Sequence, residues 1–157
     1  MAAAFTFVFK YAWFIFGLFA LAQSVFLLTR AGKIAASTGD DPAQARRFIF
    51  GYAVYYVTPY FVLGALQFLG GYDSAFYVFF APLTDPFVLA AIGFFILWWA
   101  LGLYILWARG GARTLIRYQL IQGARNETFV KLFFGAGIVF IIVWVVLFRF
   151  LVPPPPF

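Results

Sequence analysis

The sequence predicts an all-α polytopic membrane protein whose four transmembrane helices form a bundle. Its 157 residues are 66% hydrophobic and 10% charged, whereas a soluble domain is about half apolar and about a quarter charged. The chain also contains four apolar stretches, each long enough to cross a hydrocarbon layer about 30 Å thick. Most of its basic residues lie at the ends of these stretches, where positive charge sets the orientation of a membrane protein.

The four spans are predicted at residues 11–28, 48–69, 87–107 and 129–148, within one integral membrane domain of residues 1–157. The N-terminal stretch lacks the pattern of a cleavable signal, so we expect it to remain as the first span. In span one, Gly17, Ala20 and Ser24 form a small-residue face of the kind that lets membrane helices approach closely. Pro59 should kink span two because proline lacks a backbone N–H.

The connections between the spans differ in charge. The segments 29–47 and 108–128 are basic, whereas the connection 70–86 contains two acids and no Lys or Arg. Counted through Lys131, the basic segments contain nine of the 11 positive residues, four in the first and five in the second. The nine are Arg30, Lys33, Arg46, Arg47, Arg109, Arg113, Arg117, Arg125 and Lys131.

Lys and Arg are retained on the cytoplasmic side during insertion, which places both basic connections inside and connection 70–86 outside. Both termini are then on the non-cytoplasmic side. The expected location is a bacterial inner membrane, although the mitochondrial inner membrane follows the same charge rule and remains an alternative.

Local signals indicate where two helices begin and how the outer connection behaves. Asp41 followed by Pro42, and Asp85 followed by Pro86, have the pattern of an N-cap and a first helical residue. The aromatic stretch 75–82 is too short to span, so it either lies in the headgroup layer or folds back against the helices. The C-terminal VPPPPF is expected to extend as a polyproline II segment.

The two halves of the chain resemble each other. LLTRAGK at the end of span one matches LWARGGAR at the end of span three, and RRFIFGY at the start of span two matches VKLFFGA at the start of span four. These matches favour two tandem helical hairpins, related as a parallel repeat. The alternative is chance similarity in a uniformly apolar sequence.

Three arginines form the first candidate contact site. Arg109, Arg113 and Arg117 are spaced by four, which places them on one face if span three continues as a helix past Trp107. Such a row could clamp lipid phosphates or meet an acidic partner surface, because guanidinium binds both groups through paired hydrogen bonds. Alternatively, these are solvated residues of the positive-inside pattern, and the glycines at 110 and 111 break the helix.

Aromatic residues form the other candidate contacts. Tyr52, Tyr56 and Tyr60 make a stripe on span two that could line a cavity for a quinone, carotenoid or other isoprenoid, or pack between helices. Trp98 and Trp99 lie in the middle of span three, whereas membrane Trp is usually found at the interfaces. They could meet another subunit or an apolar cofactor, or fill space within the bundle.

The residue types that are missing limit the possible functions. The sequence contains no Cys and no His, which removes the thiolate, the usual haem ligand and the commonest general base. The predicted spans contain no Asp or Glu, whereas ion-coupled transporters generally place an ionisable group within the membrane. We therefore expect no catalytic, cofactor or metal site, no cofactor and no nucleic-acid partner.

The sequence favours a non-catalytic integral membrane subunit, or an assembly or stabilising factor, of a larger respiratory, photosynthetic or secretion complex. Its expected partners are other membrane subunits and lipids, with anionic headgroups at the basic connections. The alternative is a small lipid-, quinone- or isoprenoid-binding protein, a transporter or enzyme, that acts as a homo-oligomer.

Overall fold

The computed structural model describes residues 7, 10–79, 81–121, 123–124 and 126–151, and the regular structure within them is entirely helical. Arg125 and the VPPPPF tail lie outside the described residues. The helices are α1 (Ala12–Thr38), α2 (Pro42–Gly70), a 3-10 helix (Ala75–Phe79), α3 (Pro86–Ala108), α4 (Gly111–Arg117) and α5 (Glu127–Leu151).

Four of these helices, α1, α2, α3 and α5, are long and apolar enough to cross a membrane. This confirms the predicted all-α class with four spans. The chain divides into two compact units, Met1–Ala91 and Ile92–Phe157.

Helix α1 is longer than the span predicted within it. The span was expected to end at residue 28, but the helix continues to Thr38, and most of the basic segment 29–47 is helical. Half of residues 29–38 are good helix formers, namely three Ala, one Arg and one Lys. Gly39 then ends the helix at φ 72°, with its N–H donating to the Ala35 carbonyl, a backbone conformation that glycine adopts without steric cost.

Both predicted helix starts are confirmed. The Asp41 carboxylate accepts hydrogen bonds from the backbone N–H groups of Ala43 at 3.2 Å and Gln44 at 3.3 Å. At the start of α3, the Asp85 carboxylate accepts the Phe87 N–H at 2.8 Å. Each aspartate thus satisfies backbone donors that have no partner within the helix.

Helix α2 remains continuous through Pro59. The Thr58 hydroxyl donates to the Val54 carbonyl at 2.7 Å, which supplies a hydrogen bond close to the point where proline removes one.

In the first unit, α1 and α2 pack along their length through small residues. The residues of α1 that are buried are Ala12, Gly17, Ala20, Ser24, Ala31 and Ala35. They include the predicted small-residue face, which is thereby confirmed. Without a hydrophobic driving force between helices in lipid, close approach at small side chains provides the van der Waals contact that holds such a pair together.

Connection 70–86 folds back on the helices rather than lying apart from them. Val78, in the 3-10 helix, is 0% exposed and packs in a cluster with Leu66 of α2, Ala81, and Val88 and Ala91 of α3. The aromatic stretch 75–82 was predicted either to lie in the headgroup layer or to fold back against the helices, and its packing is that of the second alternative.

In the second unit, contacts gather around the basic connection. Arg113 of α4 forms an ion pair with Glu127 at the start of α5. The Lys131 ammonium lies 6.0 Å from the centre of the Trp107 ring in α3. Away from this region α5 is largely exposed, with only 6% of its most apolar stretch buried.

Candidate lipid and partner contact sites

The three arginines predicted to share one helical face are not on one continuous helix. Gly110 has φ 67° and separates α3 from α4, in the left-handed region that residues with a Cβ rarely adopt. Arg109 therefore precedes the break, while Arg113 and Arg117 remain one turn apart on α4. The structure therefore agrees with the alternative prediction, in which Gly110 and Gly111 break the helix.

Arg113 already has an anionic partner. Its Nε donates to Oε1 of Glu127 at 2.7 Å, and Lys131 Nζ lies 3.8 Å from the other oxygen of the same carboxylate. The other N–H groups of the Arg113 guanidinium could still bind a lipid phosphate, but the Glu127 carboxylate offsets the positive charge that would attract it. Because 79% of the Arg113 side chain is exposed, the pair contributes little to stability, yet it neutralises charge within the connection.

The tyrosine stripe on α2 exists, and its rings contact one another. Tyr52 and Tyr56 are stacked with centroids 6.0 Å apart and ring planes at 7°, whereas Tyr56 and Tyr60 meet edge to face at 6.2 Å. Tyr60 also lies 6.4 Å from the Phe16 ring of α1. Of these three contacts, two lie within α2 and one, between Tyr60 and Phe16, joins the stripe to another helix.

The central tryptophans each pack on a phenylalanine one turn earlier in α3. Phe94 and Trp98 are stacked at 5.4 Å, and Phe95 and Trp99 lie 5.7 Å apart at 43°. All four rings are half-buried. The two pairs start at adjacent positions, so they cover two neighbouring faces of the helix with aromatic surface.

The two acids of connection 70–86, Asp73 and Asp85, have separate partners. The Tyr72 hydroxyl donates to Asp85 at 2.5 Å, while Asp73 lies 3.9 Å from the Lys10 ammonium. Burial, together with the bond to Asp85, raises the pKa of Tyr72 to about 12. The bond from Tyr72, helped by backbone N–H groups at the start of α3, lowers the pKa of Asp85 below 3.8.

These contacts indicate structural roles for Asp73 and Asp85. Among the described residues, no three His, Cys, Asp or Glu side chains are grouped closely enough to hold a metal ion.

A cavity that the sequence did not indicate lies beside the short connection between α1 and α2. It has a volume of about 500 Å³ and is lined by Leu28, Ala43, Arg46, Arg47 and Phe50. The four residues from α2 follow the spacing i, i+3, i+4 and i+7, so they lie on one helical face. That spacing was visible in the sequence, but the contribution of Leu28 depends on how α1 packs against α2.

A larger apolar groove of about 740 Å³ runs along the start of α1. Its lining residues are Phe7, Tyr11, Trp13, Phe14, Ile15, Leu18, Phe19, Ala22 and Phe68.

The chain matches no protein-family model, and no curated protein or solved structure matches it significantly. Its class therefore follows from its own features: it is an all-α protein with four helices able to cross a membrane.

Proposed function

We propose that this protein is a non-catalytic integral membrane subunit, or an assembly or stabilising factor, of a larger complex in a bacterial inner membrane. The observation that carries the proposal is the surface of α5. Only 6% of the most apolar stretch of this helix is buried. A methyl group at Gly135 or at Gly137 would meet no atom of the second unit within 4 Å.

Glycine inside a helix lowers helix stability by roughly 0.5–1 kcal/mol relative to alanine, and membrane helices commonly offset this cost by packing closely at the glycine. The α1–α2 pair does so, since a Cβ at Gly17 or Gly64 would meet side chains of the other helix. Within the second unit, Gly135 and Gly137 make no such contact. A helix from another protein would provide it.

The positions of charge and aromatic surface also support a packing role over a chemical one. The charged side chains of α1, α2 and α5 lie outside the predicted spans or within one turn of their edges, and α3 contains none from Pro86 to Ala108. Membrane-spanning segments that contain no ionisable side chain at their centre provide no relay for protons or ions. The Phe94–Trp98 and Phe95–Trp99 pairs instead offer large rigid surfaces at mid-membrane depth for contact with a neighbouring subunit.

The alternative, a small lipid-, quinone- or isoprenoid-binding protein acting as a homo-oligomer, draws support from the groove along α1. Its volume of about 740 Å³ is within the range of small-molecule sites, which are predominantly apolar. Trp13, Phe14 and Phe68 in its wall could pack against a hydrocarbon tail.

The test is the native mass and composition of the affinity-tagged protein, extracted from its own membrane in a nanodisc-forming polymer. The proposal predicts recovery with larger membrane subunits at fixed stoichiometry. Gly137→Leu should reduce that recovery, because leucine blocks close approach at α5. Gly32→Leu is the matched control, since it adds the same bulk at a position that is equally open but lies outside the predicted spans.

Recovery of the unmodified protein alone, or as a homo-oligomer with a discrete bound lipid or pigment, would overturn the subunit proposal. The second of these results would favour the ligand-binding alternative.

A further inference from the structure

The cavity between the second half of α1 and the start of α2 is lined by apolar side chains and by the side chains of two arginines. Leu28 and Phe50 provide apolar surface from the two helices, while Arg46 and Arg47 lie one turn before Phe50 on the same face of α2. Leu28 is the last residue of the first predicted span, and residue 48 is the first of the second. The apolar part of the cavity is therefore placed where hydrocarbon begins, and the arginines at headgroup depth.

The two arginines are available to an external anion. Both side chains are exposed, and neither forms an ion pair with any of the residues that the structure describes. Arg113, by contrast, is bonded to Glu127.

The acids nearest in sequence to this cavity have other partners. The Asp41 carboxylate accepts two backbone N–H groups of α2, and Asp40 accepts the Thr38 hydroxyl at 3.0 Å.

From this geometry we infer that Arg46, Arg47, Leu28 and Phe50 form a binding site for one anionic phospholipid. The phosphate lies against the guanidinium groups, whose planar donor arrangement matches phosphate oxygens. An acyl chain leaves the phosphate toward the membrane and packs over Phe50 and Leu28. Phospholipid is the occupant favoured by the depth of the cavity, because only a molecule with both an anionic head and an apolar tail matches both of its parts.

This inference is independent of the proposed function, since either a complex subunit or a homo-oligomer could hold such a lipid. It also moves the lipid contact away from the arginine row that the sequence suggested, to a pair of arginines one turn into α2.

The test is native mass spectrometry of the full-length protein in detergent, titrated with phosphatidylglycerol or with phosphatidylcholine of the same acyl chains. The inference predicts saturable binding of one phosphatidylglycerol and weaker binding of phosphatidylcholine. The double variant R46Q/R47Q should bind phosphatidylglycerol roughly 10- to 30-fold more weakly, since each basic residue near an anionic lipid contributes about fivefold. The control R109Q/R117Q removes the same charge from the other basic connection and should change binding less than about twofold.

Two further arms separate a lipid site from a site for free phosphate. Phe50→Ala should weaken phosphatidylglycerol binding several-fold, and excess inorganic phosphate should compete poorly. Full competition by phosphate with no effect of Phe50→Ala would overturn the lipid assignment. An equal loss in R109Q/R117Q would show general charge attraction and overturn the site.

Circular dichroism checks that the variants keep their helical content. If R46Q/R47Q does not, R46K/R47K replaces it, because this variant keeps the charge but loses the planar donor arrangement. It should bind phosphatidylglycerol several-fold more weakly than the unmodified protein, and unchanged affinity would contradict the inference.

Discussion

The indole ring of Trp13 in α1 lies against the bare backbone of Gly64 in α2, where any Cβ would overlap the ring. The same indole meets Phe61 edge to face at 6.4 Å and Phe68 at 5.8 Å. One side chain thus joins the start of α1 to nearly two turns of α2. The glycine is required here by close approach rather than by backbone conformation, since Gly64 lies within a regular helix.

Gly64→Ala should destabilise the α1–α2 pair, because the new methyl group forces the indole or the helices apart. Overpacking of this kind costs about 1–3 kcal/mol, of which about 1 kcal/mol is recovered through the better helix propensity of alanine. Gly51→Ala is the matched control, since nothing lies within 4 Å of a Cβ at that position of α2. Thermal unfolding in detergent, followed by tryptophan fluorescence, should show a lower midpoint for Gly64→Ala alone, and equal midpoints would refute this packing.

The Tyr72–Asp85 hydrogen bond should make the stability of connection 70–86 sensitive to acid. The pKa of Asp85 is lowered from 3.8 in the folded protein, so the stabilisation is present above about pH 4 and is lost as the pH falls through the folded pKa. Tyr72→Phe removes the donor and should reduce this acid dependence. Hydrogen exchange of residues 75–88 at pH 5 and at pH 3 measures the effect, and identical pH profiles for both proteins would contradict it.

At alkaline pH the ionisation of Tyr72 should remove the same stabilisation as the pH rises. The pKa of Tyr72 is raised to about 12 from an ordinary value of 10.0. The neutral hydroxyl is therefore favoured in the folded state, and this stabilisation is present below pH 10 and lost as the pH rises toward 12. Ultraviolet titration of the tyrosinate band should show one late-titrating group outside the membrane that is missing in Tyr72→Phe.

The Arg113–Glu127 pair should hold the second basic connection in place with only a small effect on stability. A double-mutant cycle of Arg113→Gln and Glu127→Gln is expected to give only a weak coupling energy, because the arginine is exposed to solvent. That coupling should weaken further at high salt, which screens exposed charges. A strong coupling that does not change with salt would mean that the pair is shielded from water by another protein.

Much of the fold could be read from the sequence because its signals are local. Asp41–Pro42 and Asp85–Pro86 indicate helix starts because the capping hydrogen bonds span no more than three residues. An apolar stretch long enough to cross a membrane is visible in the sequence alone. The exact ends could not be read in the same way. Helix α1 continues ten residues past its predicted span, because its helix-forming residues remain favourable in water until Gly39.

The candidate contacts were harder to predict because they depend on distant residues. The spacing of Arg113 and Arg117 was correct, but Gly110 separates them from Arg109, and the bond from Arg113 to Glu127 spans fourteen residues. The Arg46–Arg47 cavity likewise needs Leu28 from another helix. Helical periodicity alone shows which residues share a face, but it does not show what that face meets.

The arrangement of the spans across the membrane can be measured directly, because the sequence contains no Cys. Single cysteines are placed at Ser37 and Arg109, in the two basic connections, and at Thr84 in the outer connection. All three positions are exposed, whereas Ser74 is only 2% exposed and would label poorly. With a membrane-impermeant thiol reagent added to intact cells, the account predicts labelling at position 84 alone, and at 37 and 109 only after the membrane is opened. Labelling at 37 or 109 from outside, or at all three positions from one side, would contradict the four-span topology.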